Sequence, residues 1–138
     1  MGKVLNLFAG RTRLNVDEYR VDCDPAMQAD FHGDAYTFVK NTDMKLDTII
    51  LDPPYNIRQA REKHEGRCIG SLTKTKNALL RVLNDNGRAI SMGYDTTGMS
   101  QIRGFHKLAI CVICHSGRHN DTLAVVEQLG ARLRVRNY

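Results

Sequence analysis

The run Thr48-Ile49-Ile50-Leu51, closed by Asp52-Pro53-Pro54-Tyr55, limits the architecture of this chain more than any other segment. A strand that is apolar on both faces belongs in the middle of a parallel sheet. The prolines then stop it. Each fixes φ and removes a backbone donor, and each holds the residue before it extended. Carbonyls in the bend are therefore free to point at a ligand instead of being absorbed into a helix. Asp52 adds acceptors and Tyr55 a π-face. An acid, two prolines and a ring at the end of a buried strand make a rigid polar cup, suited to a flat molecule with an exocyclic amine.

The 138 residues fit one domain, 1–138, with room for a proper core. No apolar run approaches the ~20 residues that span a bilayer, so no membrane partner is expected. Met1-Gly2-Lys3-Val4-Leu5-Asn6 runs at once into a strand-like pattern, with no signal-peptide core. A cytoplasmic location is the expectation, with the four cysteines as reduced, mostly buried thiols. Charge is unevenly spread. Residues 1–56 carry six Lys/Arg against nine Asp/Glu, whereas residues 57–138 carry fourteen against six. That polarity implies a basic face for a polyanion beside an acidic pocket for something cationic. The plainer reading is a solvated surface with chance clustering.

Strands are expected at Val4–Phe8, Tyr19–Asp22, Asp47–Leu51 and Ala89–Met92, and a short helix at Tyr36–Thr42. Asn56 to Gly70 is polar, basic and without apolar periodicity, and reads as a loop. Ser71 has the character of an N-cap, with Leu72, Leu79 and Leu83 on one helical stripe that stops before Gly87. A short helix or turn falls near Thr97–Phe105. Leu108–Cys114 and Thr122–Val126 are apolar strands at hairpin spacing. Strands separated by crossovers, then a terminal hairpin, indicate an α/β sheet, mostly parallel with a C-terminal antiparallel hairpin. Ligands of such sheets bind beyond the carboxyl ends of the strands, where strand order reverses. The loops bearing Gly10, Asp22 and Asp52 all follow strands, and so converge on one crevice.

These residues, in this order, resemble the S-adenosylmethionine-dependent amino-methyltransferases, in particular the DNA N6-adenine methyltransferases. Leu7-Phe8-Ala9-Gly10-Arg11-Thr12 looks like that family's first motif, F-x-G-x-G, and Asp22 like the acid ending its second strand. Gly33-Asp34-Ala35 resembles the third-motif acid and Asp52-Pro53-Pro54-Tyr55 the catalytic motif. The likeness covers roughly residues 4–95, and the closing hairpin fits the family's reversed seventh strand. The ordered set carries it, since the first motif is weak alone.

The resemblance implies a Rossmann-like methyltransferase sheet and S-adenosylmethionine as cofactor, held by Phe8, Ala9, Gly10, Asp22, Asp34, Ala35 and Asp52. Gly10 would let the backbone approach the methionine end of the cofactor. Asp22 would accept from the ribose hydroxyls. Asp34 would take the cofactor's adenine amine, and the Ala35 N–H a ring nitrogen. Taken singly, Asp22 and Asp34 read equally well as turn acids. Asp52, Pro53, Pro54 and Tyr55 would form the catalytic set acting on an adenine N6 amine. Arg58, Arg61, Lys63 and Arg67, with Lys74 and Lys76 beyond, would hold nucleic-acid phosphates at the mouth of the site; the alternative is a solvated loop.

The pattern also departs from the family. Thr12 stands where the second glycine of the first motif would fall. Arg11–Glu18 is barely long enough for one crossover helix, and Asp24–Gly33 leaves no room for a helix plus a strand. Trimmed helices are therefore expected. No separate target-recognition domain is expected, which points to a partner subunit, a homodimer or a single-stranded substrate. Cys111-Val112-Ile113-Cys114-His115 matches a haem-attachment pattern, but in a strand Cys111 and Cys114 face opposite sides. No metal site is assigned there or elsewhere. The expected function is methyl transfer to adenine N6, in DNA before RNA. The alternatives are an RNA base amino-methyltransferase (adenine N6 or guanine N2) and a non-catalytic nucleic-acid-binding subunit.

Overall fold

The computed structural model describes residues 2–54 and 70–130. Among these residues, seven strands form one sheet in the order β3-β2-β1-β4-β5-β7-β6. They are β1 Val4–Leu7, β2 Glu18–Asp22, β3 Phe31–His32, β4 Leu46–Leu51, β5 Leu83–Gly93, β6 Phe105–Ile113 and β7 Thr122–Leu129. β1 pairs in parallel with β2 and β4, as β2 does with β3 and β4 with β5. Only β7 is reversed, antiparallel to β5 on one side and β6 on the other. Strand order turns back between β1 and β4. Their last residues, Leu7 and Leu51, are register partners. The segments that follow these two strands therefore leave the sheet side by side.

The apolar alternation decides which face is covered. Leu5, Leu7, Ile49, Leu51 and Ala89 share one side and pack with Phe38, Val39, Leu79 and Val82 in one buried cluster. Each such side chain contributes roughly 1.5–3 kcal/mol by leaving water. The helical layer consists of α1 (Ala35–Asn41) and α2 (Leu72–Val82). Asp34 caps α1 by accepting from the Thr37 N–H at 2.8 Å, and Ser71 caps α2 by accepting from Lys74 N–H at 3.3 Å. Arg81 of α2 donates to the carbonyls of Val39, Lys40 and Thr42, closing the open end of α1.

Several expectations shift. No helix forms between Arg11 and Glu18. Instead Arg20, 2% exposed, ties the irregular segments to the sheet, donating to the carbonyls of Gly10, Thr12 and Gln28 and pairing with Glu18 at 3.0 Å. Asp24–Gly33 omits the helix but does fit a strand: Phe31–His32 pairs with Val21–Asp22. Leu83 is not on the helix; it opens β5, which runs further than Ala89–Met92. The Thr97–Phe105 stretch holds a single 3-10 turn, Gln101–Arg103. Cys111 and Cys114 are exposed, not buried, because β6 is the sheet edge and residues 106–113 have neither face covered. Cys23 is disulfide-bonded, which departs from four reduced thiols.

Candidate active site

Gly10 is clamped on both sides of its α-carbon. Its N–H donates to Asp22 Oδ2 at 2.8 Å, and its carbonyl accepts from Arg20 at 2.8 Å. Asp22 and Arg20 sit two residues apart on β2, so both project to the face opposite the helices. The clamp holds Gly10 at φ +57°, a left-handed conformation that only glycine takes without cost. A Cβ built there would meet nothing within 4 Å. The turn is thus open beside its glycine, as a backbone that receives a ligand must be. Phe8 just before it also has positive φ, +63°, an unusual state for a non-glycine residue that is held only by its surroundings.

Phe8, Asp22, Asp34 and Ala35 line one shallow depression together with Val21, Cys23 and Gly33. All six predicted turn and acid residues therefore gather at the ends of β1, β2 and β3: these four, Gly10, and Ala9 between Phe8 and Gly10. Ala9 is buried, and its N–H is bonded to the Val21 carbonyl. The acids do structural work as well. Asp22 also accepts from the Asp24 N–H at 2.9 Å. Asp34 gives one oxygen to the cap of α1, and a Cβ on Gly70 would fall 2.2 Å from its other oxygen.

The diproline turn lies beside this depression, at the end of β4. Asp52 is exposed and Pro53 and Pro54 are half-buried. A cleft of about 170 Å³ runs from the prolines to the end of β5, walled by Lys76, Ser91, Met92 and Tyr94 among others. Lys76 is not on an open phosphate-binding surface as expected. It is half-buried in this wall, its Nζ donating to the Gly98 carbonyl at 2.6 Å. Burial, assisted by Arg103, pulls its ammonium below the usual lysine value, against the pull of Asp95 and Glu127. Lys74 is exposed on α2. Tyr55, Arg58, Arg61, Lys63 and Arg67 lie outside the described residues.

Three contributors escaped the sequence reading. Arg20 sits between Tyr19 and Val21, where a charged residue passes for the solvent side of a strand. Ser91, the one hydroxyl in the run Ala89-Ile90-Ser91-Met92, was a visible interruption. Glu127, 1% exposed on β7, accepts from the Met99 and Ser100 N–H groups and so pins the loop after β5. A Cβ on Gly98, at φ +54°, would strike its carboxylate at 2.2 Å. A lone acid in a strand gives no sign of such a task.

No protein-family model matches the sequence, and no curated protein matches it. Solved structures do. A protein from Escherichia coli assigned as a methyltransferase, yhhF, matches with TM-score 0.67 at 15% identity, over 95% of this chain and 77% of that one. TrmN from Thermus thermophilus matches with TM-score 0.63 at 16% identity, over 93% of this chain and 44% of TrmN. The N-methyltransferase NodS from Bradyrhizobium japonicum WM9, in complex with S-adenosyl-L-homocysteine, gives 0.58 at 9% identity, over 92% and 77%. At these identities the likeness is one of fold. The chain has the Rossmann-like methyltransferase sheet, with two short helices on one face among the described residues.

Proposed function

We propose that this chain is an S-adenosylmethionine-dependent methyltransferase acting on the exocyclic amine of a nucleobase, adenine N6 in DNA before RNA. One observation carries the reading. The open Gly10 turn and the Asp52-Pro53-Pro54 turn leave adjacent, register-matched strands at the same end of the sheet, where its order reverses. The solved structures of like fold, one of them bound to S-adenosyl-L-homocysteine, support the same cofactor.

The donor set fits that cofactor: a glycine turn with space beside it, and carboxylates at Asp22 and Asp34 lining the adjoining depression. When bound, it supplies an electrophilic methyl group on a sulfonium. The work left to the protein is to present a nucleophile. An aromatic amine is a poor one because its lone pair is delocalised into the ring. Asp52, exposed at the strand end, and the Pro53 carbonyl accept the two amine hydrogens and favour a pyramidal nitrogen whose lone pair faces the methyl carbon. The N–C bond forms as the S–C bond breaks, and the methylated amine releases its extra proton to solvent. Alignment and preorganised acceptors provide the rate. Tyr55 would stack on the base, worth ~1–3 kcal/mol, and a duplex target must be flipped out at a cost of a few kcal/mol. Lys74 and the basic residues after Tyr55 would hold phosphates. Choice of target sequence would fall to a partner subunit, a second copy or a single-stranded substrate.

The test is transfer of labelled methyl to DNA and RNA oligonucleotides, digested to nucleosides and identified by mass. N6-methyladenine is expected, more from DNA than from RNA, and Asp52→Ala should lower its rate at least ~100-fold, the scale of losing one preorganised electrostatic contact. RNA as the preferred acceptor, or guanine N2 as the site, would move the assignment to the RNA enzymes. An Asp52→Ala protein as active as wild type contradicts the role given to the turn. A wild-type protein that binds nucleic acid and methylates nothing is a binding subunit.

A further inference from the structure

The cleft beside the diproline turn contains two hydrogen-bond donors that the chemistry above does not use. Ser91 is the register partner of Leu51, so it stands on the neighbouring strand one residue short of Asp52. It is 8% exposed, and its Oγ has no hydrogen-bond partner among the described residues. A hydroxyl left so is a cost to folding that alanine would avoid. Ala89, two residues earlier on the same face, is wholly buried and shows that the sheet accepts one there. The second donor is Lys76. Its bond to the Gly98 carbonyl uses one of three ammonium hydrogens. That carbonyl is itself fixed, because Glu127 holds the next two N–H groups. Lys76 is therefore a positioned charge in the wall, not a mobile surface lysine.

Resting on the methyltransferase reading, we propose that Ser91 and Lys76 are specificity-determining residues that donate to the ring nitrogen beside the target amine, while the Asp52 turn accepts from the amine itself. A base recognised this way must carry an acceptor next to its amine. Adenine has one on each side, N1 and N7. Guanine N2 has an acceptor on one side only, N3, and its other neighbour is the N1–H donor, which would face donors in this cleft. Guanine therefore fits in one of the two orientations open to adenine. A cleft of about 170 Å³, below the ~300–1,000 Å³ of ordinary small-molecule sites, suits one flat ring system. The lowered affinity of Lys76 for its proton agrees with a desolvated charge awaiting an acceptor.

The experiment compares single-stranded oligonucleotides bearing adenine, 1-deazaadenine or 7-deazaadenine at the methylated position, using wild type, Ser91→Ala and Lys76→Met. Wild type should disfavour one deaza analogue by ~10–100-fold in kcat/KM. At least one variant should lose about tenfold on adenine and no longer distinguish that analogue. Both variants should keep the thermal shift given by S-adenosylmethionine, and Ser91→Ala should melt no lower than wild type. A structural role would move melting and leave discrimination intact. Variants that discriminate as wild type does, or a wild type indifferent to both analogues, overturn the proposal. A wild type that methylates guanine N2 in preference to adenine overturns it and leaves methyl transfer standing. A wild type that methylates no base removes the reading beneath it as well.

Discussion

Arg20 takes over the task of a missing helix. With no helix between β1 and β2, the Gly10 and Thr12 carbonyls would face an unpacked side of the sheet, and one buried guanidinium satisfies both along with Gln28. Arg20→Met keeps the stem but orphans those carbonyls and leaves Glu18 buried without its cation. Urea unfolding should show a loss of about 3–5 kcal/mol, together with loss of S-adenosylmethionine binding because Gly10 is released. Glu18 makes the same network pH-dependent. Burial pushes its carboxyl up, but bonds from Asn6, the Leu14 N–H and Arg20 outweigh that and hold it below the usual glutamate value. A lowered folded value stabilises above the unfolded one and is lost as pH falls through the folded one. Melting temperature should therefore drop on acidification below the usual glutamate range, and Glu18→Gln should flatten that limb. An unchanged limb would assign the acid sensitivity to other carboxylates. The diproline and glycine turns were legible in the sequence because each depends on local chemistry. Arg20 was not, because its meaning comes from residues eight to ten positions away.

At the scale of elements, the best-read pieces were those whose signals are local. Ser71 caps α2 as its sequence indicates, and β4 is the central strand that its apolar run requires. The boundaries that slipped were set by pairing. β5 extends back to Leu83 because its first residue joins Leu46 across a bulge, and β3 exists only because β2 offers an edge. The edge position of β6 was equally hidden, since an apolar strand looks the same whether or not its faces are covered. The loop after β5 depends on Glu127. Glu127→Ala should leave the Met99 and Ser100 N–H groups without acceptors, at ~1–3 kcal/mol each. Faster hydrogen exchange should concentrate at those two amides, and kcat/KM should fall as Gly98 and Lys76 shift. Uniformly faster exchange across the sheet would mean that the residue serves general stability only.

The whole molecule is a sheet whose two halves divide the work: β1, β2 and β3 end at the glycine and acid depression, β4 and β5 at the diproline cleft. That division follows from strand order; the spacing of strands and crossovers implied a mostly parallel sheet with a terminal hairpin, but not the order of its strands. What the sequence overstated was the openness of Asp22 and Asp34, both partly taken up by backbone N–H groups. No helix among the described residues is long and apolar enough to cross a membrane. The central claim is that the β1–β2 end receives S-adenosylmethionine facing the Asp52 turn, and thermal unfolding with that compound tests it most directly. At ~100 times its dissociation constant the cofactor adds ~2.7 kcal/mol, which should raise Tm by several degrees, less so in Asp22→Ala. An unchanged Tm at millimolar S-adenosylmethionine would contradict the account.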